Sequence, residues 1–223
     1  MGLQMTKLVA GTIALAALAA SVPALAADLP ARPYVAPVVA PSIYNWTGFY
    51  VGINGGGAWG NSQWDGLNKF DLSGGLIGGT IGYNWQVGQI VVGAEGDIDW
   101  SGVKGTTTAL CAAGCETRNK WLATVRGRLG YAFDRFLPYI TAGLAAGDIN
   151  ATRTGFPGGS ATNAGWTVGA GLEVGVVNNV SIKAEYLYVD LGDFNCGFNC
   201  GLAPNGNVSY NANILSGGLN VRF

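Results

Sequence analysis

Charged and bulky apolar residues occupy alternate positions along most of this chain. In one segment Glu95, Asp97 and Asp99 hold the odd positions, while Ile98 and Trp100 hold even ones. Further segments show the same alternation, with their charges at Arg126, Arg128, Glu173, Lys183, Glu185 and Arg222. Side chains on a β-strand point alternately to opposite faces. The pattern therefore predicts a sheet with one polar and one apolar face.

Eight segments carry this pattern, and each is long enough to cross a membrane as a tilted strand. The predicted strands are 47–59, 73–86, 89–100, 120–132, 137–148, 164–176, 180–191 and 210–223. The connections near 87–88, 133–136 and 177–179 are short, and those at 60–72, 101–119, 149–163 and 192–209 are long and polar. Short turns at one end and long loops at the other are typical of outer-membrane barrels. The sequence predicts an all-β fold, an eight-stranded antiparallel up-and-down transmembrane β-barrel.

Composition indicates which face of the sheet points outward. Only 11% of the residues are charged and 49% are hydrophobic, whereas about a quarter of the residues in a soluble domain are charged. A sparse charged face would solubilise the molecule poorly, so we expect the apolar face to contact lipid and the polar face to line the interior. The net charge of −1 offers no basic surface to nucleic acid.

The N-terminal part of the chain has its own composition. The predicted organisation is a signal peptide at 1–26, a proline-rich periplasmic leader at 27–45 and the barrel at 46–223. Lys7 precedes an apolar stretch at 8–20, and a small-x-small cleavage site follows at 24–26. An uncleaved membrane anchor is the alternative, but Pro23 interrupts the short stretch. The prolines of the leader favour an extended chain without core contacts.

Parity constrains the short turns, because directly paired residues share a face. Gln86 is predicted to pair with Gln89 across a two-residue turn. Glu173 and Lys183 both face inward, so the turn between their strands is predicted to have three residues. Asn179 is then expected in the left-handed conformation, which Asn tolerates better than most residues.

Aromatic residues cluster near both ends of the predicted strands on the apolar face. Toward the short turns they are Phe49, Tyr83, Trp85, Tyr131, Phe133 and Phe223. Toward the long loops they are Trp59, Trp100, Trp121, Trp166 and Tyr188. Such girdles mark the two membrane interfaces. Asn211 and Asn213 share the apolar parity of the last strand, which indicates either a position above the membrane or a bulge that shifts the register.

The inward charges can neutralise one another. The predicted lumen network contains Glu95, Asp97, Glu173, Glu185, Arg126, Arg128, Lys183 and Arg222, with Asp99 set apart near the rim. Hairpin geometry favours Glu95 and Asp97 opposite the two arginines of the next strand, and Glu173 opposite Lys183. Eight strands leave interior space for side chains only. We therefore favour a structural salt-bridge plug over an ion path or gate.

The four cysteines lie in two of the long loops, as Cys111-x-x-x-Cys115 and Cys196-x-x-x-Cys200. A secreted protein favours disulfides, and of the three possible connectivities we favour the two local pairs. A pair across the barrel mouth would instead tie the loops into a lid. The spacing is unlike that of common zinc sites, so we expect no metal.

The chain contains no His. Its absence excludes His-based catalytic triads, most zinc hydrolase sites and the commonest haem ligand. A Ser-Lys or Asp-based enzyme remains possible, but no nucleophile with a matching base is evident. We expect neither catalysis nor a cofactor.

Five stretches and the last residue carry a resemblance to a known family. They are P-S-I-Y-N-W-T-G-F-Y-V-G-I-N-G-G-G-A-W-G (41–60), G-Y-N-W-Q (82–86), R-G-R-L-G-Y-A-F (126–133), P-Y-I-T-A-G-L-A (138–145), K-A-E-Y-L-Y-V-D-L-G (183–192) and Phe223. Over most of 41–223 the chain resembles small outer-membrane barrels of Gram-negative bacteria, of the immunogenic-protein or surface-antigen type. The resemblance implies contact with outer-membrane lipid and assembly by the barrel insertion machinery. It also implies that Leu219, Val221 and Phe223 form a C-terminal assembly signal.

Together these features predict a monomeric, non-enzymatic outer-membrane protein with an envelope-structural role. We expect it to be exposed at the cell surface like an antigen and to have a largely plugged lumen. Two alternatives remain open. One is a narrow porin-like pore for small solutes, and the other is binding of haem, another ligand or a host surface through the loops.

Overall fold

The computed structural model describes residues 44–66, 69–108 and 114–223. The predicted signal peptide, most of the predicted leader and Cys111 lie outside these residues. The described part consists of β-strands, their connections and one turn of 3₁₀ helix at Gly197–Cys200. No helix in these ranges is long and apolar enough to span a membrane.

Nine strands follow one another along the described residues. They are β1 (Gly48–Trp64), β2 (Phe70–Val87), β3 (Ile90–Ser101), β4 (Lys104–Thr107), β5 (Cys115–Tyr131), β6 (Phe136–Arg153), β7 (Gly159–Val177), β8 (Val180–Asn195) and β9 (Asn207–Arg222). Eight of them are long, and β4 has four residues. Every predicted strand is present. Most extend further toward the long loops than the alternation predicted.

The strands close into an up-and-down barrel. β1 pairs antiparallel with both β2 and β9, which closes the sheet. The other long strands pair with their neighbours in chain order. The short β4 continues the sheet between β2 and β5 beyond the end of β3. The eight-stranded antiparallel barrel is therefore confirmed, with β4 as an addition that the sequence pattern did not predict.

The outward face of the barrel is apolar over a continuous band. Ile53, Ile81, Val125 and Leu144, on four different strands, are each at least 61% exposed. Contact of such side chains with water would be unfavourable and would lower solubility, whereas contact with hydrocarbon costs nothing. The band is therefore the part of the barrel that crosses the membrane.

The predicted aromatic girdles lie at the two edges of this band. At the turn end, the ring centroids of Phe49 and Tyr83 are 4.7 Å apart. At the loop end, those of Trp166 and Tyr188 are 5.4 Å apart. All the predicted girdle residues are exposed except Trp121 and Tyr188, which are half-buried. The amphipathic rings are placed where hydrocarbon gives way to polar headgroups.

Asn213 lies at the edge of the outer girdle. It is directly opposite Trp59 on β1 and Tyr188 on β8. Its side-chain oxygen accepts a hydrogen bond of 2.6 Å from the Tyr186 hydroxyl. The pairing of β9 with β1 contains no bulge, and in the register shift opposite Asn211 the extra residue lies on β8, so β9 keeps its parity. The structure thus supports the first explanation, in which Asn211 and Asn213 lie at and beyond the membrane edge.

The predicted register of the turn between β2 and β3 is wrong. Val87 pairs with Ile90, so Gln86 does not pair with Gln89. The two-residue turn begins at Gly88, whose φ of 62° lies in the left-handed region. Glycine adopts that conformation without strain, which explains why the turn starts there and not one residue earlier.

The turn between β7 and β8 has two residues, not the predicted three. Val177 pairs with Val180, and a bulge at Val176 absorbs the change of parity. Both strands therefore keep their charged residues inward. Asn179 is not left-handed, since Asp134 is the only described non-glycine residue with a positive φ.

Beyond the outer girdle, the strands continue as a barrel with reversed polarity. We call this part the outer extension; it comprises 60–64, 70–75, 104–107, 115–120, 148–153, 159–163, 191–195 and 207–212. Its outward side chains are mostly polar, such as Gln63, Asp71 and Arg118. Its buried inward side chains include Trp64, Phe70, Leu72, Ile149, Leu191, Phe194 and Val208. Burial among them raises the pKa of the Tyr210 phenol.

The outer extension corrects the prediction that these regions are loops. Outside the membrane a strand must bury its apolar face inward, because water now contacts its outer face. The extension is therefore built like a small soluble β-barrel joined to the end of a transmembrane one. Among the described residues, loops remain at its tip, where the Cys196–Cys200 disulfide joins the residue before the 3₁₀ turn to the last residue of that turn.

Candidate functional site

The interior of the membrane-spanning part is occupied by buried charges. We call this set the central network; its members are Glu95, Asp97, Asp99, Glu173, Glu185, Arg126, Arg128 and Lys183, each at most 8% exposed. They come from β3, β5, β7 and β8, at positions that alternate with the lipid-facing residues. A closed barrel brings these strands within side-chain reach across the lumen.

Arg126 is the centre of the network. Its guanidinium is 2.8 Å from Glu95 Oε1 and 2.7 Å from Glu185 Oε1, and it also contacts Asp97. Glu95 is directly opposite Arg126 in the β3–β5 pairing, as predicted. One planar guanidinium thus serves three carboxylates, which uses the fixed fork of donors that Arg provides.

Arg128 extends the network toward the turn end. It lies 2.7 Å from Glu173 and 3.4 Å from Glu95, and its guanidinium carbon is 3.9 Å from the centre of the Tyr139 ring. Tyr50 donates a hydrogen bond of 2.8 Å to Glu95. The arginine is therefore held by charge and by an aromatic face at the same time.

Two glycines make room for the buried tyrosines. A Cβ added to Gly82 would collide with the Tyr50 ring, and one added to Gly171 would collide with the Tyr139 ring. Each glycine gives its tyrosine a flat stretch of backbone to lie on. This pairing explains part of the glycine abundance inside the strands.

Lys183 corrects one predicted pair. It is opposite Glu173 in the β7–β8 register, yet its ammonium lies 3.1 Å from Glu95 and 3.8 Å from Asp97. Glu173 instead accepts hydrogen bonds from Ser181 and Asn220 and pairs with Arg128. The long Lys stem reaches across a narrow lumen, so backbone register alone does not determine the ion pairs.

Arg222 corrects the predicted charge balance. It lies at the turn end, where it donates a hydrogen bond to the Asn178 carbonyl and stacks 4.6 Å from the centre of the Tyr44 ring.

Asp99, set apart near the rim in the prediction, is buried with the other charges. It is 6% exposed, and its Oδ1 has no hydrogen-bond partner. The buried interior therefore holds five acids and three bases among the described residues.

Little free space remains at this level. A void bordered by Asp97, Asp99 and Arg126 has a volume of about 10 Å³. A single water molecule needs about that much room. Side chains of the central network and of its neighbours occupy the space around this void.

A second group of buried side chains lies at the turn end of the barrel. We call residues 44–47 the turn-end plug; Tyr44 is 6% exposed and Trp46 is fully buried. Trp46 donates its backbone N–H to Gln86 and its indole N–H to the Asp134 carbonyl. The Tyr44 hydroxyl donates to the Val177 carbonyl. The plug thus joins all three short turns.

Asp134 is adapted to hold this plug. Its φ of 54° places a non-glycine residue in the left-handed region. In that conformation its carboxylate accepts the Tyr44 N–H, while its carbonyl accepts the indole N–H of Trp46. Backbone strain of this kind persists only where surrounding contacts compensate for it.

The turn-end plug also corrects the predicted leader. A chain without core contacts was expected up to residue 45, but Tyr44 packs against Trp46 with ring centroids 4.7 Å apart. The two rings share a cluster with Val91, Ala132 and Leu137. The sequence did carry a signal, since aromatic residues are out of place in a solvated tether.

The remaining predicted residues have separate locations. Cys196 and Cys200 form the local disulfide that was favoured, and Cys115 is also disulfide-bonded. Leu219 and Phe223 of the assembly signal are exposed on the lipid-facing side, and Val221 is half-buried. The described residues contain no cluster of three or more His, Cys, Asp or Glu side chains that could hold a metal ion.

The fold and its two faces define an outer-membrane β-barrel protein, with short turns in the periplasm and long connections outside. A family model described as "Outer membrane protein beta-barrel domain" matches residues 12–223. The chain belongs to this family, and its location is the outer membrane. We accordingly call the turn end periplasmic and the loop end external.

Relatives with curated names agree with this assignment. The chain is 41% identical over 199 residues to the 31 kDa outer-membrane immunogenic protein of Brucella melitensis, covering 77% of this chain and 82% of that protein. It is 37% identical over 181 residues to a 22 kDa outer membrane protein of Rhizobium leguminosarum, covering 80% and 79%. The protein thus has outer-membrane proteins as relatives, one of which is named as immunogenic.

Solved structures with a similar fold share little sequence. Neisserial surface protein A is 19% identical with a TM-score of 0.47, over 79% of this chain and 98% of that one. Ail, the attachment invasion locus protein of Yersinia pestis, is 16% identical with a TM-score of 0.44, over 78% and 99%.

Proposed function

We propose that the protein is a non-enzymatic, monomeric structural component of the outer membrane that presents a rigid external surface and does not conduct solutes. One observation carries this proposal: the interior is filled at three successive levels. The turn-end plug fills the periplasmic mouth, the central network fills the membrane level, and apolar side chains fill the outer extension.

Each level opposes permeation for a different physical reason. An ion entering the outer extension would lose its hydration among apolar side chains, which is costly. At the membrane level, four of the five buried carboxylates are already paired with the three bases, so an ion would have to break existing pairs. At the periplasmic mouth, Trp46 is fully buried and held by two hydrogen bonds. A pore would require all three levels to rearrange together.

The chemistry of the chain supports a non-enzymatic role. The sequence has no His. In the described residues the buried acids contact Arg, Lys and hydroxyl donors. None of these contacts pairs a nucleophile with an unoccupied base. The lack of His also counts against haem binding. Contact with a host surface or ligand would fall to the external end, whose outward side chains are polar.

The decisive measurement is conductance of the refolded, heat-modifiable barrel in a planar bilayer. A fluorophore on Gln63→Cys, an exposed position of the outer extension, would show that protein is present in the same bilayer. We expect a silent membrane at the applied voltages. Reproducible discrete steps, altered in size or ion preference by Glu95→Gln, would replace this proposal with the narrow pore.

A further inference from the structure

A pocket opens at the periplasmic end beside the seam where β1 meets β9. Its volume is about 380 Å³, in the range of small-molecule sites. Its lining consists of Tyr44, Asn45, Thr47, Arg135, Asn178, Asn179, Arg222 and Phe223. The pocket lies outside the central network and borders the turn-end plug, which contributes Tyr44, Asn45 and Thr47 to its lining.

Two arginines make this pocket basic. Their guanidinium carbons lie 4.6 Å (Arg222) and 5.7 Å (Arg135) from the centre of the same Tyr44 ring. Within the described residues neither arginine forms an ion pair with a carboxylate, that of Phe223 included. Asp134, beside Arg135 in the chain, accepts the Tyr44 N–H.

Both guanidiniums keep donors available. Arg222 donates one hydrogen bond, to the Asn178 carbonyl, and Arg135 uses a single nitrogen on the carbonyls of Gly175 and Val176. A guanidinium has five N–H donors in a fixed fork that matches an anionic oxygen pair. The contacts to backbone therefore orient the two groups without saturating them.

The basic pocket adjoins the lipid-facing surface. Phe223, which lines it, is 80% exposed, and the neighbouring Val176 and Val177 are 52% and 50% exposed. Phe223 belongs to the periplasmic girdle, at the depth of the headgroups of that leaflet. A ligand here meets positive charge on one side and an apolar wall on the other.

We propose that this pocket binds the phosphate of an anionic phospholipid from the periplasmic leaflet, with Arg135 and Arg222 as its ligands. The acyl chains run along the outward faces of Phe223 and Val177. Basic pockets at the ends of membrane-spanning elements select anionic headgroups in this way. A headgroup with its own ammonium would bring a positive charge against the arginines and bind less well. This site goes beyond the structural role proposed above and does not depend on whether the lumen conducts.

Native mass spectrometry of the refolded barrel in a nonionic detergent tests the site. The probes are dioleoyl phosphatidylglycerol, dioleoyl phosphatidylethanolamine, dioleoylglycerol without phosphate, and inorganic phosphate as a competitor. We expect one retained phosphatidylglycerol, at several-fold higher occupancy than either other lipid. Arg135 lies in an exposed turn, so Arg135→Gln leaves the strands intact. Arg135→Gln and Arg222→Gln should each lower the phosphatidylglycerol occupancy at least threefold.

Arg118→Gln is the matched control, since Arg118 is an exposed arginine at the external end. It should leave lipid occupancy unchanged, and heat-modifiable mobility should show that all variants are folded. Equal retention of phosphatidylglycerol by wild type and Arg135→Gln would overturn the proposal. Retention of dioleoylglycerol at the same level would show binding by the apolar wall alone. Displacement of the lipid by millimolar phosphate would assign the site to the free anion.

Discussion

Arg126 is the residue on which most of the central network depends. It is 2% exposed and contacts Glu95, Asp97 and Glu185. Arg126→Ala would leave these carboxylates buried without their shared counter-charge, which typically costs about 3–5 kcal/mol. We expect the free energy of unfolding to fall by that amount when the refolded barrel is titrated with urea in detergent micelles.

Arg118→Ala is the control for this prediction. Its side chain is 47% exposed and pairs with Glu116 at 3.7 Å, so its loss should cost less than about 1 kcal/mol. An Arg126→Ala barrel that unfolds at the wild-type urea concentration would show that the network does not stabilise the fold.

Asp99 has the opposite role to Arg126. Five buried acids face three buried bases, and Asp99 Oδ1 has no hydrogen-bond partner. Asp99→Asn keeps the shape and removes one uncompensated charge, so we expect the unfolding free energy to rise by roughly 1 kcal/mol. The exposed Asp71→Asn should leave urea unfolding unchanged. Destabilisation by Asp99→Asn would mean that the hydrogen bond between Asn54 and this carboxylate outweighs the cost of its unpaired charge.

The positions of these residues were predictable, but their partners were not. Parity placed Glu95, Asp97 and Arg126 on the inner face because alternation depends only on strand geometry. It could not show that Lys183 reaches Glu95 instead of Glu173, since that choice depends on the width of the lumen. It also assigned Arg222 to the interior, although that position lies at the mouth, where the turn-end plug provides aromatic rings.

Trp64 anchors the element that the sequence pattern missed, the outer extension. It is fully buried and donates its indole N–H to Thr117 at 3.1 Å. Trp64→Ala should open a cavity that lowers the stability of this part of the barrel by about 3–5 kcal/mol. We expect faster proteolytic cleavage at the external end, while the membrane-spanning part keeps its heat-modifiable mobility.

Gln63→Ala is the matched control, because Gln63 is the exposed neighbour of Trp64 on the same strand. Its cleavage pattern should match the wild type. If Trp64→Ala were equally resistant to protease, the outer extension would owe its order to backbone pairing and not to its apolar core.

The outer extension was not predictable from a lipid-facing alternation, because its outward residues are polar and a strand there no longer shows an apolar outer face. In the same stretches Trp64, Phe70 and Ile149 hold inward parity and are buried. A search that allowed the apolar face to change sides at the membrane edge would have extended the strands. The Val176 bulge could not be found this way, since no residue type at that position requires it.

At the scale of the whole molecule, the proposed function requires the turn-end plug to close the periplasmic mouth. Leu137 is fully buried beneath Tyr44 and Trp46. The thiol of Leu137→Cys should therefore react slowly with a water-soluble maleimide. In the double variant that also carries Trp46→Ala, this thiol should react at least tenfold faster. Labelling under non-reducing conditions keeps the Cys196–Cys200 disulfide closed. Gln89→Cys, in an exposed turn at the same end, should react at one rate in both backgrounds. Rapid labelling of Leu137→Cys with Trp46 intact would show that the mouth is open.

The reversal of polarity at the outer girdle also governs what the cell displays. Five residues of β1 follow Trp59, and at about 3.3 Å per residue and a tilt of about 40° they stand roughly 12 Å above the bilayer. Their outward side chains, Asn61 and Gln63, are half-buried and exposed, respectively, whereas the inward Ser62 and Trp64 are buried and both contact Thr117. Substitutions can therefore accumulate on the outside of this wall without moving its backbone. A lineage could change the chemical appearance of the molecule, and so what an antibody recognises, while its shape stays the same.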